Sequence, residues 1–457
     1  MLAPIVQNSQ TPEQLYGDHI QQKLSRFRAI LQATNFDQRI IGSGSEKIQF
    51  QDDMAYPFKA NSYFREWVPL NYPDYFLCID IVNKRPKLYI QCKQNIWHSA
   101  PKKIADTYAQ HLEIIEFSST EAVIKEFSKS ADRIGLINET NDFDLDTEGW
   151  NPCQVLSAID FQRRSKTGYE HACVREANRL AVPAHLAAKD AFFAGASELE
   201  VASAYLQACY CAESEMPYAI IAGINENAAV LHHHQLNNRA VRPYSLLLDA
   251  GVQFNHYASD ITRTYAHETG SDFSSMICAV DSSQQDIVNE AGIGKNPVDL
   301  HVQSQYAMAN ILKQFNILKV SAEEAVENKI INTFYPHGLS HHLGCNVHDK
   351  GSRLANAQGD QMPVSEKYPH LRASAPMVES QIHTVEPGLY FIPALLDKLE
   401  AGQNKGSVNW NQINYWKKYG GIRIEDNIIL HANDSIENVT RDAFRQAKNS
   451  DVTPGSQ

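Results

Sequence analysis

Residues 246–264 read LLLDAGVQFNHYASDITRT, and this stretch constrains the chain more than any other. Three leucines deliver Asp249 to a strand end, a turn-rich segment follows, and a second β-branched run begins with Asp260. In an antiparallel hairpin, opposed residues share a constant index sum. A turn centred on the Phe254–Asn255 step sets Asp249 directly opposite Asp260 on one face. Two opposed carboxylates repel unless a cation sits between them. A divalent metal meets that need, and a metal requires further ligands elsewhere in the chain.

Three later stretches offer them. PHGLSHHLGCNVHD, residues 336–349, holds four histidines between His337 and His348. Its HxxxH spacing matches a zinc-protease helix, but that motif needs Glu after the first His, where Gly338 stands. Gly344 further weakens a helix. TVEPGLYF, residues 384–391, places Glu386 at a strand end before Pro387-Gly388, the centre of an expected type II turn. GIRIEDNIIL, residues 421–430, alternates Ile422 and Ile424 with Arg423 and Glu425, one pair on each face of a strand. Asp249, Asp260, Glu386, Glu425 and one histidine form an oxygen-rich donor set. Such a set favours manganese or cobalt, with zinc less natural. Four negative charges call for two divalent ions, the usual arrangement for hydrolysing amides or phosphoesters. The residues alone lead to a dinuclear hydrolase.

The rest of the chain supplies the setting. Its 457 residues suffice for a small domain plus a larger one. A net charge of -12 without Lys/Arg clusters argues against nucleic acid as a partner. The eight cysteines include no CxxC pair, so neither a disulfide framework nor a zinc ribbon is expected. No signal peptide and no run long enough for a membrane span is read, and the expected setting is the cytoplasm with reduced thiols. Thr11-Pro12-Glu13-Gln14 opens a helix with a capping box. Strands are expected at 39–41, 75–82, 87–92 and 133–138, so residues 1–160 form an α/β domain. QFQDDMAYPFK, residues 49–59, reads as an acidic and aromatic loop. From residue 161 to 457 a second domain begins with a long helical pattern that Pro183 should kink or interrupt. Ser197–Glu200 caps another helix, helical stretches follow near 276–291 and 301–315, and residues from 448 should fray.

Taken together, LLLDAG with YASDITRT, PHGLSHHLG with VHD, TVEPGLYF and GGIRIEDN resemble the ordered signature of pita-bread metallopeptidases. Within that group the chain is most similar to bacterial Xaa-Pro dipeptidases (prolidases) and the related organophosphorus acid anhydrolases. QFQDDMAYPFK and NENAAVLHHH share the likeness, which covers nearly the whole chain. The resemblance implies a creatinase-like N-terminal domain and a C-terminal pita-bread catalytic domain, in an α/β (α+β) fold. It implies two Mn2+ per subunit, with Co2+ or Zn2+ as substitutes, held by Asp249, Asp260, His341, Glu386 and Glu425, of which Asp260 and Glu425 bridge. His341 becomes the metal-binding histidine only through this likeness.

The same likeness implies hydrolysis of Xaa-Pro dipeptides by a hydroxide bridging the two ions. Glu386 would act as acid/base, His348 would stand near the scissile carbonyl, and Arg423 would clamp the free carboxylate. His232 and His337 join Arg423 on the proline side, and Tyr218, Leu231, Val347 and Leu371 match pocket walls. Asp53 matches an aspartate that reaches a neighbouring subunit's site, which implies a homodimer and a pocket limited to dipeptides. A side activity on organophosphate triesters hangs on the leaving-group wall, where Pro297 occupies the slot of a family tyrosine. The alternatives are an Xaa-Pro aminopeptidase acting on longer peptides and a metal-free pita-bread binding module. Complete ligand motifs weigh against the latter.

Overall fold

A computed structural model describes residues 10–91, 103–127, 133–141, 143–146, 148–363 and 365–451. Cys92, the expected end of one strand, lies outside the described residues. The chain divides into two compact units. One runs up to Cys173 and includes Leu354–Gln361, while the other comprises Val174–Arg353 and the chain from Met362.

The first unit is built on a five-stranded mixed sheet. Its strands are β1 (Gln38–Gly42), β2 (Phe76–Asp80), β3 (Lys87–Gln91), β4 (Glu113–Phe117) and β5 (Ile134–Ile137), in the order β4-β3-β2-β1-β5. The helix Pro12–Ala33 starts at the expected box, where the Thr11 N–H donates to Gln14 Oε1 at 2.9 Å. The sequence reading missed β4. Its residues EIIEF are only partly buried, so they lack the apolar run that marks a central strand.

The second unit carries β6 (Ile221–Ile224), β7 (Ser245–Asp249), β8 (Gln253–Phe254), β9 (Tyr257–Ala258) and β10 (Thr262–Ala266). Further along come β11 (Ile382–Val385), β12 (Gly388–Tyr390), β13 (Gly421–Arg423), β14 (Asp426–Leu430) and β15 (Ile436–Asn438). The central hairpin exists, but its register differs from the expected one. Asp249 pairs with Thr262, and Phe254 with Tyr257. The turn therefore centres on Asn255–His256, both left-handed at φ 46° and 73°. A two-residue hairpin turn demands that conformation, and Asn adopts it more readily than most residues. Asp260 consequently lies across from Gly251 and diagonal to Asp249, on the same face but not directly opposed. Leu246, Leu248, Ala250 and Ile261 fill the other face, packing with Ala181, Ala184, Ala188 and Phe192.

Two further expectations change. The helix Gly168–Phe193 runs through Pro183 without interruption. An interior proline costs roughly 3 kcal/mol, and this helix buries Ala181, Ala184, Ala188 and Phe192 in the core on either side of it. Nor does a type II turn form at Pro387-Gly388, because Gly388 is absent from the positive-φ residues. The glycine is needed for space instead: a Cβ there would lie 2.7 Å from Tyr390 Oη and 2.8 Å from the Ile422 carbonyl. At the other end, residues 448–451 belong to the helix Val439–Asp451, and the remainder of the segment expected to fray lies outside the described residues.

Strand pairing then gathers the carboxylates. Thr262 bridges to Glu425, so the Asp249 strand end, Asp260 and the β13–β14 junction converge. Ile422 and Ile424 face a large core around Phe273, Phe391 and Trp416, while Arg423 and Glu425 face the other way. No described helix is long and apolar enough to cross a membrane.

Gly251 tests this register. A Cβ there would stand 1.9 Å from the Ser259 carbonyl oxygen, with no room to yield. Gly251→Ala should cost at least about 3 kcal/mol in urea unfolding. Gly406→Ala, whose Cβ meets nothing within 4 Å, should stay within about 0.5 kcal/mol. Equal stabilities of the two variants would contradict the pairing.

Candidate metal centre

Asp260, His341 and Glu425 are all buried, and one donor atom from each lies within 4.8 Å of the others. His341 Nε2 is 3.4 Å from Asp260 Oδ2 and 3.5 Å from Glu386 Oε1. Its Nδ1 is bonded to the His342 carbonyl at 3.0 Å, which fixes the proton there and leaves Nε2 free to act as a ligand. The segment from 336 to 349 is not helical, in keeping with the failed zinc-protease spacing. Asp249 and Glu386 line the same cavity of about 510 Å³.

Arg423 holds the cluster together. Its Nη2 donates to Asp249 Oδ2 at 2.5 Å, its Nε to Thr262 Oγ1 at 3.0 Å, and its Nη1 to Tyr390 Oη at 2.8 Å. The Thr262 hydroxyl passes its own hydrogen to Glu425 Oε2 at 2.7 Å. Tyr390 Oη is also 2.9 Å from His337 Nε2, whose Nδ1 faces the Gly338 carbonyl. Asn427 clamps the Asp260 backbone at both its N–H and its carbonyl.

Burial and mutual repulsion push these carboxyl groups upward. Glu425 is raised well above the usual range by burial, then by Asp260, Glu386 and Asp249. Glu386 is pushed up to about 7 by burial, against the pull of His341 and Arg423. Asp249 is raised by burial despite its arginine. Asp260 alone falls: burial raises it most, but the bond and charge of His341, the Tyr218 hydroxyl and His348 together more than offset that. Without a cation these groups must hold protons at a cost. A hard, oxygen-rich set carrying such an excess of negative charge fits divalent metal.

Most of the expected site residues meet here. Leu231, His232, His337, His348 and Arg423 line the cavity with the acidic cluster. Tyr218 is not among the residues lining the cavity; its hydroxyl donates to Asp249 Oδ1 at 2.8 Å. Leu371 is buried beside a smaller adjoining cavity, and Val347 lines neither. Pro297 opens the helix Pro297–Gln314 and is not among the residues lining the cavity. Asp53 is exposed on the first unit. The sequence reading passed over Thr262, Tyr390, Arg353, His370 and Arg372. Thr262 and Tyr390 sit inside quoted motifs, two and four residues beyond candidate ligands, and that adjacency was the available signal.

Comparison with known proteins places the chain. A model of metallopeptidase family M24 matches residues 172–432, and one of the Xaa-Pro dipeptidase N-terminal domain matches 14–161. The Xaa-Pro dipeptidase of Pseudoalteromonas translucida (strain TAC 125) is 40% identical over 431 residues, covering 93% of this chain and 98% of that protein. That of Serratia proteamaculans (strain 568) is 38% identical over 440 residues, covering 95% and 99%. Among solved structures, a histidine-to-alanine variant of Escherichia coli aminopeptidase P aligns with a TM-score of 0.70 at 20% identity, over 93% of this chain and 95% of that one. The same enzyme with the inhibitor Pro-Leu gives 0.69, over 92% and 95%. The chain belongs to metallopeptidase family M24, with the pita-bread fold of its structural neighbours. Membership implies a dinuclear divalent-metal centre, and the donor cluster fits one.

Relief of carboxylate repulsion should appear as stability. At a free manganese concentration one hundred times its Kd, the metal-free protein should gain about 2.7 kcal/mol per site. Asp260→Asn should abolish most of that gain in thermal unfolding. An unchanged melting temperature on adding the ion would contradict the assignment.

Proposed function

We propose that the protein is a metal-dependent Xaa-Pro dipeptidase. The observation that carries this reading is the convergence of Asp249, Asp260, His341, Glu386 and Glu425 in one cavity of about 510 Å³, a size suited to a small ligand. The curated relatives named Xaa-Pro dipeptidase support it along 93% of the chain or more. We assign residues 1–160 to the N-terminal domain and 161–457 to the catalytic domain. The five residues would hold two ions, with manganese proposed and cobalt or zinc as substitutes, and Asp260 and Glu425 shared between them. Bound there, the ions supply a nucleophilic water at neutral pH and polarise the carbonyl.

The chain's own residues do the rest. Glu386 borders the cavity at the cluster's edge, where its carboxylate can accept the water's proton and return it to the leaving nitrogen. His348 packs edge-on to His341 at 4.5 Å and lines the cavity, which suits it to meeting the substrate carbonyl. Tyr390 holds His337 in one orientation on the proline side. Arg423 spends donors on Asp249, Thr262 and Tyr390, which suits it to steadying the cluster more than to gripping substrate. Arg372 is exposed in the cavity lining without an ion-pair partner among the described residues. We place the dipeptide's free carboxylate on Arg372, with Arg353 and His370 lining the same cavity.

Asp53 is proposed to reach a second copy's site. Its loop exposes Ile48 at 55%, Phe50 at 89%, Met54 at 61% and Tyr56 at 55%, an apolar display suited to an interface. A cytoplasmic setting is proposed from the cysteine pattern of the sequence, which is spread out and holds no CxxC pair. The organophosphate side activity rests on the resemblance alone.

Arg372→Met should raise KM for an Xaa-Pro dipeptide at least about tenfold, with little change for the corresponding dipeptide amide. The unmodified enzyme should cleave Xaa-Pro faster than Xaa-Pro-Yaa-Zaa. Faster cleavage of the longer peptides would replace the dipeptidase reading with the aminopeptidase one.

A further inference from the structure

Glu198 lies far outside the acidic cluster's hydrogen-bond network, yet it is among the most heavily bonded carboxylates in the second unit. It opens the helix Glu198–Cys209 directly after the capping Ser197 and is only 2% exposed. Its Oε1 accepts from the Ile224 N–H at 2.8 Å and from Asn227 Nδ2 at 2.9 Å. Its Oε2 accepts from the Asn237 N–H at 2.8 Å and is 2.9 Å from His233 Nε2. A buried carboxylate at a helix N-terminus is favourably placed, and four partners satisfy it fully.

All four partners lie on one segment, 224–237, which carries Leu231 and His232 into the active-site cavity. Asn225 ties the base of that segment, bonding to the Arg242 carbonyl and to the Tyr244 and Ser245 N–H groups. Glu198 pins its middle and far end. The consecutive histidines divide accordingly. His233 turns inward to Glu198, while His232 and His234 stack with ring centroids 6.0 Å apart and planes at 18°.

We propose that Glu198 is a positioning residue that sets where His232 meets the substrate. This rests on the reading of His232 as a substrate-holding group. A glutamine at 198 offers a single acceptor oxygen. Its NH2 group would face either Ile224 and Asn227 or His233 and Asn237, so one pair of donors loses its partner. The segment would then loosen at His232, while Asp249, Asp260, His341, Glu386 and Glu425 keep their own supports. The effect belongs in KM, with metal content and kcat preserved.

The test is steady-state kinetics on an Xaa-Pro dipeptide with Glu198→Gln, His232→Ala and the double variant, each with its metal content measured. His233→Gln is added because it removes one loop contact and leaves the carboxylate in place if Glu198→Gln folds poorly. The expected result is a KM about tenfold higher for Glu198→Gln and about threefold higher for His233→Gln, with kcat within about twofold and metal unchanged. The double variant should have the KM of His232→Ala, because both changes act through one side chain. If His232→Ala raises KM but Glu198→Gln and His233→Gln do not, the positioning role is wrong. Effects that multiply in the double variant, or a loss of metal with Glu198→Gln, also overturn it. If His232→Ala leaves KM unchanged, the substrate role of His232 falls and takes this inference with it.

Discussion

The second unit is organised around a repulsion. Asp249, Asp260, Glu386 and Glu425 share one cavity, and the groups drawn into their network are chiefly Arg423 and His341. Arg423 ion-pairs with Asp249 and reaches Glu425 through the Thr262 hydroxyl. That neutralises part of the charge and leaves an excess that metal ions can balance. An apolar lining would be cheaper for folding alone, since partly paired buried charge seldom stabilises. The arrangement makes sense as a site kept ready to bind cations.

Strand pairing brings the acids together. The β7–β10 hairpin sets Asp249 across from Thr262, and the Thr262–Glu425 bridge adds the next carboxylate. Each strand keeps one face in an apolar core, so the acidic side chains have one direction left. Leu246 and Leu248 do this on β7, and Ile422 and Ile424 do it around β13. Backbone register therefore sets the ligand geometry, and a slip by one residue would send an acid into the core.

Much of this was legible from residues. The alternation in GIRIED placed Arg423 and Glu425 on one face, and the five proposed ligands stood in recognisable motifs. The hairpin register was not legible, because it depends on whether the turn centres on Phe254–Asn255 or on Asn255–His256. Left-handed backbone at both of the latter decides it, a property that His advertises weakly. Gly388 looked like a turn glycine and proved to be a spacing glycine, since its role comes from Tyr390 and Ile422 rather than from its neighbours in sequence. Thr262, Tyr390 and Glu198 escaped notice for a related reason. Their roles arise from hydrogen bonds to residues far along the chain, which composition does not reveal and which, for Thr262 and Tyr390, only adjacency to candidate ligands hints at.

The most direct test of this account is elemental analysis of the full chain after removal of metal and reconstitution with manganese, alongside Asp260→Asn treated identically. Two ions per chain are predicted for the natural sequence, and a loss of binding to both positions for the variant. Fewer than one ion per chain in the natural sequence, or an unchanged content in Asp260→Asn, would contradict a carboxylate cage built to hold a metal pair.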